Sequence, residues 1–108
     1  MATARAMIER RRSSRIPVRI PIRLFHGRES EMQEFSAEAI QVSRCGALLR
    51  SSVAPTPGSH LEVLHGLSQE RRGCRVIRVR GAGPGVFELG VEIYHPSRSF
   101  WGVRFPGE

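Results

Sequence analysis

Six short stretches of alternating apolar and polar residues, separated by glycine- and proline-rich breaks, leave few folds open to this chain. From Ile16 the period is two: Val18, Ile20, Ile22 and Leu24 alternate with Arg19, Pro21, Arg23 and Phe25. This is the pattern of a half-buried strand with its arginines mostly outward. Pro17 and Pro21 have no N–H for a ladder, so this strand is expected at an edge or bending as it enters a barrel. A second strand is expected over 33–42, where Phe35, Ala37, Ala39 and the Ile40/Val42 pair alternate imperfectly and leave the register open. Ser43-Arg44-Cys45-Gly46 breaks it, and Ala47-Leu48-Leu49 starts a third.

After a loop at 54–59, Leu61 and Val63 mark a fourth strand. Residues 66–73 read as a polar hairpin loop. A fifth strand of mixed facing follows over 74–80. Gly81-Ala82-Gly83-Pro84-Gly85 is a turn. In the sixth strand, Phe87, Leu89, Val91 and Ile93 are expected to face the core. Phe100, Trp101 and Phe105 close the chain and are expected to be ordinary core at one barrel end. No stretch keeps a helical period of 3.6 beyond one turn. The expectation is an all-β fold, a small six-stranded antiparallel β-barrel, whose closure also removes exposed strand edges.

At 108 residues the chain has the length of one domain. Residues 1–8 lack periodicity and read as a flexible N-terminal tail. Residues 9–108 form the expected barrel domain, including a flexible arginine-rich linker at 9–15 that has no apolar residue. No apolar run approaches the ~20 residues that span a bilayer. The first residues hold no apolar core of a secretory signal. A cytoplasmic location is the expectation.

The net charge is +7, and all 17 basic residues are arginine. A GC-rich coding bias would by itself favour arginine. Physically, the guanidinium fork fits phosphate bidentately and stacks on bases, so an anionic partner is expected. Aromatic residues make up only 6% of the chain and do not interleave with arginines on one strand face, which argues against nucleic acid.

Cys45 and Cys74 lack CxxC spacing and are expected to be free and buried. The histidines at 26, 60, 65 and 95 are dispersed, so neither a metal nor another cofactor is expected. Aspartate is absent, and no nucleophile, base and carboxylate fall into a catalytic pattern. The chain reads as a binding protein and not an enzyme.

Arg-x-x-x-Arg occurs four times, at Arg11/Arg15, Arg15/Arg19, Arg19/Arg23 and Arg71/Arg75. Strand alternation by itself generates the spacing from Arg15 to Arg23. Only Arg11/Arg15 lies in a polar segment before the first strand. Order gives the pair meaning: Arg10-Arg11-Arg12-Ser13-Ser14-Arg15, a strand, then a second strand ending in Ser43-x-x-Gly46 and followed by Ala47-Leu48-Leu49.

This arrangement resembles the PilZ family of six-stranded barrels, many of which bind the bacterial messenger cyclic di-GMP. Gly90-Val91-Glu92-Ile93 and the Phe100-to-Pro106 ending are also similar to that family, and the resemblance covers roughly residues 9 to 105. It implies that Arg11 and Arg15 hold phosphate and the guanine edge, with Arg10 as a third nucleotide-binding candidate. It implies that the Ser43 hydroxyl bonds the ligand and that Gly46 permits a tight turn with close backbone approach. Gln41 stands where the family has Asp or Asn. It keeps the amide but is one methylene longer and a poorer turn former. The resemblance implies a receptor for cyclic di-GMP that passes its signal to a separate protein partner. The alternative is a degenerate domain that binds no nucleotide and serves as a protein-interaction module.

Overall fold

The computed structural model describes residues 15–27, 29–97 and 99–105. The expected tail at 1–8 and the arginine linker up to residue 14, with Arg10 and Arg11, lie outside the described residues. Six strands form: β1 (Ile16–His26), β2 (Gln33–Val42), β3 (Gly46–Ser51), β4 (His60–His65), β5 (Arg71–Gly83) and β6 (Val86–Ile93). They close into a barrel in the order β1-β2-β3-β6-β5-β4, with every neighbouring pair antiparallel. A short 3₁₀ turn, Glu29–Glu31, links β1 to β2. No helix among the described residues is long and apolar enough to cross a membrane.

The period-two pattern becomes the barrel interior. Ile20, Ile22 and Leu24 of β1 are buried against Leu49, Val63, Val76, Leu89, Val91 and Ile93. Each such side chain contributes about 1.5–3 kcal/mol by leaving water. The two prolines of β1 find the one place that tolerates them. β2 pairs from Ile16 to His26 with a register shift between Pro17 and Ile20, whereas β4 joins only from Ile22 to Phe25. Pro17 and Pro21 lie in the half without a β4 ladder, and the Pro21 carbonyl accepts the Gly66 N–H at 2.8 Å. The strand is thus an edge in its first half and a barrel stave in its second.

Phe100, Trp101 and Phe105 are buried as expected, with the rings of Phe100 and Trp101 edge to face at 4.8 Å. His65 lies beneath them, its ring 5.9 Å from that of Phe100. Its Nδ1 accepts backbone N–H groups from Leu67 at 3.1 Å and Ser68 at 3.3 Å, which places the proton of a neutral ring on Nε2. This dispersed histidine is therefore a buried cap on the β4–β5 turn.

Three expectations need correction. The β4–β5 ladder already runs at Leu64/Arg71, so the polar loop shrinks to 66–70. The ladder extends that far because Arg71 points outward, pairing with Glu62 at 2.6 Å and lying 4.7 Å over the Phe25 ring. β5 also continues through Gly83, which reduces the glycine-rich turn to Pro84 and Gly85. Cys45 is exposed, because it sits at the tip of the β2–β3 turn; Cys74 is free and buried.

On the outer face, arginines meet glutamates across the strands. Arg19 pairs with Glu38 at 3.6 Å, Arg50 with Glu88 at 3.5 Å and Arg75 with Glu92 at 3.6 Å, and Arg80 also reaches Glu88. The Arg80 hydrogen bond, with help from Arg50, holds the Glu88 carboxyl below its ordinary range. Exposed pairs of this kind contribute about 0–1 kcal/mol each, so they tune the surface and do not hold the barrel together.

Burial pushes the Cys74 thiol from its ordinary 9.0 up to about 12, although a hydrogen bond to the Leu61 backbone lowers it in part. At pH 8 a thiol reagent should modify Cys45 at once and Cys74 only on unfolding; simultaneous labelling of both would contradict the packing. The native state keeps its proton to about 12 while the unfolded thiol loses it near 9.0. Cys74 therefore favours the fold fully below pH 9, and denaturant titrations should show that stability falling away as pH rises above it.

Candidate functional site

The β2–β3 connection is a three-residue turn, 43–45, with Arg44 and Cys45 at its tip and Ser43 closing it. The Ser43 N–H donates to the Gly46 carbonyl at 2.9 Å, and the Gly46 N–H donates to Ser43 Oγ at 3.1 Å. The hydroxyl donates back to the Gly46 carbonyl at 3.3 Å, a long distance for an O–H donor and therefore a weak bond. Ser43 is thus a local side-chain brace of the turn. Its hydroxyl proton can be redirected to a stronger acceptor without breaking the backbone bond.

Gly46 is needed for a different reason from the one the sequence suggests. Its φ is not left-handed. A β-carbon at this position would collide with the carbonyl oxygen of Val91 on β6. The Ile93 N–H also donates to the Cys45 carbonyl at 2.8 Å, drawing the turn onto β6. Close approach between β3 and β6 thus requires this glycine whether or not a ligand is bound.

Register shifts lie beside the turn on three strands; on β1 the register with β2 shifts between Pro17 and Ile20. On β2 the register with β3 shifts between Ala39 and Gln41, which makes Ile40 the extra residue. That shift explains the imperfect alternation: Ala39 and Val42 both face inward, and Gln41 faces outward opposite Leu48. On β5 the register with β6 shifts between Val76 and Arg78, which makes Ile77 the extra residue. Val76 is buried, Ile77 is 48% exposed, and Arg78 also faces out. Bulges of this kind re-aim side chains, often beside functional sites.

The registers line up one row across the barrel's outer surface. Pro17 lies opposite Gln41, Gln41 opposite Leu48, Leu48 opposite Gly90, and Gly90 opposite Arg78. This row borders a cleft of about 260 Å³. Its lining includes Arg15, Gln41, Ser43 and Gly46 on one side, and Ile77, Arg78 and Gly90 on the other. Leu48 lies between them. Among the described residues, the only charged ones in the lining are Arg15 and Arg78, and no carboxylate reaches it.

Four of the six residues singled out in the sequence therefore meet at one place: Arg15, Gln41, Ser43 and Gly46. Arg10 and Arg11 lie outside the described residues. Sequence reading missed Leu48, Ile77, Arg78 and Gly90. Two signals for them were present. Val76-Ile77 sets two apolar residues side by side in an otherwise alternating strand, and Gly90 interrupts the outward Glu88 and Glu92. Among the described residues, no group of three or more His, Cys, Asp or Glu could hold a metal ion.

The sequence model described as PilZ domain matches residues 9–99. The fold is similar to a solved structure of MrkH, described as a novel c-di-GMP dependence transcription regulatory factor. The TM-score is 0.58 at 11% identity, over 78% of this chain and 43% of that one. The chain thus spans less than half the length of MrkH, and at this identity the likeness is one of fold. No curated protein matches the sequence.

The turn's two structural residues should show their roles in unfolding experiments. Gly46→Ala should cost about 1–3 kcal/mol, because the added methyl pushes β3 off β6. Ser43→Ala should cost about 1 kcal/mol, the net worth of the brace. Chemical denaturation of both variants checks this. A Gly46→Ala protein as stable as wild type would remove the close-approach account.

Proposed function

The chain belongs to the PilZ domain family, and we propose that it is a receptor for cyclic di-GMP, with the ligand held between the N-terminal arginine motif and the Ser43–Gly46 turn. One observation carries this reading: Arg15, Gln41, Ser43 and Gly46 line a single cleft that, among the described residues, no carboxylate enters. Elsewhere on the barrel the outward arginines are largely answered by glutamates. A cleft with arginines and no acid attracts an anion, and guanidinium forks suit both phosphate oxygens and the O6/N7 edge of guanine. The dependence of MrkH on c-di-GMP supports the same ligand class.

The residues divide the work by chemistry. Arg15 offers its fork from the start of β1. Arg11, one motif step earlier, and Arg10 beside it would supply further cations from the linker and cover a cleft too small to enclose a whole cyclic dinucleotide. Ser43 would turn its weakly held hydroxyl proton toward a phosphate oxygen. Gln41 would present its amide to a base edge, with a longer reach than Asn. The domain over residues 9–108 is read as a non-catalytic module, so ligand binding must alter a surface that a separate protein partner recognises.

A second reading has its own observation. Ser43 and Gly46 both have complete structural explanations, the brace and the Val91 contact, that need no ligand. A domain that kept its turn for folding and lost its nucleotide would look the same at those two positions. It would serve as a protein-interaction module.

Calorimetry with cyclic di-GMP separates the readings. The receptor should bind in the micromolar range or tighter, and Arg15→Ala should weaken it by about tenfold or more. Gln41→Asn should tighten binding by restoring the shorter side chain. Absence of heat from wild type at high micromolar ligand would leave the interaction module as the function.

A further inference from the structure

Arg78 breaks the charge pattern of the sheet around it. The outward positions of β6 run Glu88, Gly90, Glu92, and each faces an arginine on β5. Glu88 faces and binds Arg80, and Glu92 faces Arg75 at 3.6 Å. Gly90 faces Arg78 and offers it nothing. Among the described residues, no carboxylate pairs with Arg78.

Two further observations show that this free cation is positioned. The Ile77 bulge turns Ile77 and Arg78 outward together, beside the cleft. The stem of Arg78 then lies flat over Gly90: a β-carbon on that glycine would stand 3.2 Å from Arg78 Cγ and 3.3 Å from Nε. The missing side chain of Gly90 is the room that the stem occupies. Arg78 lines the same cleft as Arg15. An exposed arginine with a glutamate opposite would spend its fork on that neighbour, whereas this one keeps its donors for an incoming group.

We infer that Arg78 is a ligand-binding residue of this cleft, gripping the anionic cyclic dinucleotide from the β5 side opposite Arg15, and that Gly90 keeps it available. This rests on the reading of the cleft as a cyclic di-GMP site. Two cations on opposite walls suit a ligand that carries two separated phosphates. Ile77 and Leu48 also line the cleft and give a base an uncharged surface to lie against. The ligand would thus span β1, β2, β3, β6 and β5, and the site would not end at the linker and the turn.

The test is calorimetric titration of the full chain with cyclic di-GMP for wild type, Arg78→Ala, Arg78→Lys, Gly90→Glu and Arg15→Ala. Arg78→Ala should bind about tenfold more weakly, and Arg78→Lys should recover part of the loss. The gap between wild type and Arg78→Ala should narrow as salt rises. Gly90→Glu sets a carboxylate opposite Arg78, as Glu88 stands opposite Arg80, and should weaken binding with Arg78 still present. Protection of Cys74 from thiol reagent verifies that each variant is folded. If folded Arg78→Ala or Gly90→Glu binds within about twofold of wild type while Arg15→Ala has lost affinity, the role of Arg78 is overturned and the receptor reading stands. If wild type does not bind, both fall.

Discussion

Strands β3 and β6 run so close at Gly46 that the carbonyl of Val91 occupies the space of a side chain. That approach holds the two parts of the barrel in register. β1, β2 and β3 form one meander, and β4, β5 and β6 form the other. They join through six register pairs between β3 and β6 and four between β1 and β4. With β3 against β6, the β2–β3 turn stands beside the strand that carries Gly90, and Arg78 lies one strand further on. The cleft exists because the meanders meet here, and Ser43 keeps the turn in the shape that lets them.

The bulges show how a regular sheet acquires an asymmetric site. Strict alternation would place Gln41 and Arg78 on the same parity as their inward neighbours and spend them in the core. One extra residue on each strand, Ile40 on β2 and Ile77 on β5, returns both to the outer face at the level of Gly90. The exposure of Ile77 follows from the same shift. An apolar residue there leaves the cleft with an uncharged margin.

Charge completes the arrangement. A chain of net charge +7 could have presented a uniformly basic surface. It instead matches arginine to glutamate along β5 and β6, except in the row that crosses Gly90. On this part of the sheet the unanswered arginine therefore falls at the cleft. A gap in an otherwise paired stretch of sheet is a better guide to a ligand site than overall basicity, which any anionic partner would satisfy.

Much of the fold was legible in the residues. Period-two alternation placed Ile20, Ile22, Leu24, Leu89, Val91 and Ile93 in the core, and the glycine and proline breaks separated six strands, because side-chain facing in a strand is a local property. Loop limits were less legible: β5 starts at Arg71 and runs to Gly83, since ladder partners on β4 and β6 extend it beyond its own apolar run. Arg15, Gln41, Ser43 and Gly46 could be singled out by order along the chain. Their meeting with Leu48, Ile77, Arg78 and Gly90 was decided only by barrel closure, which sets β6 between β3 and β5. The sequence determined which residues face outward on most strands. Only the tertiary structure decided which outward arginine lacks a partner, because that depends on the residue lying opposite on a strand paired across a bulge.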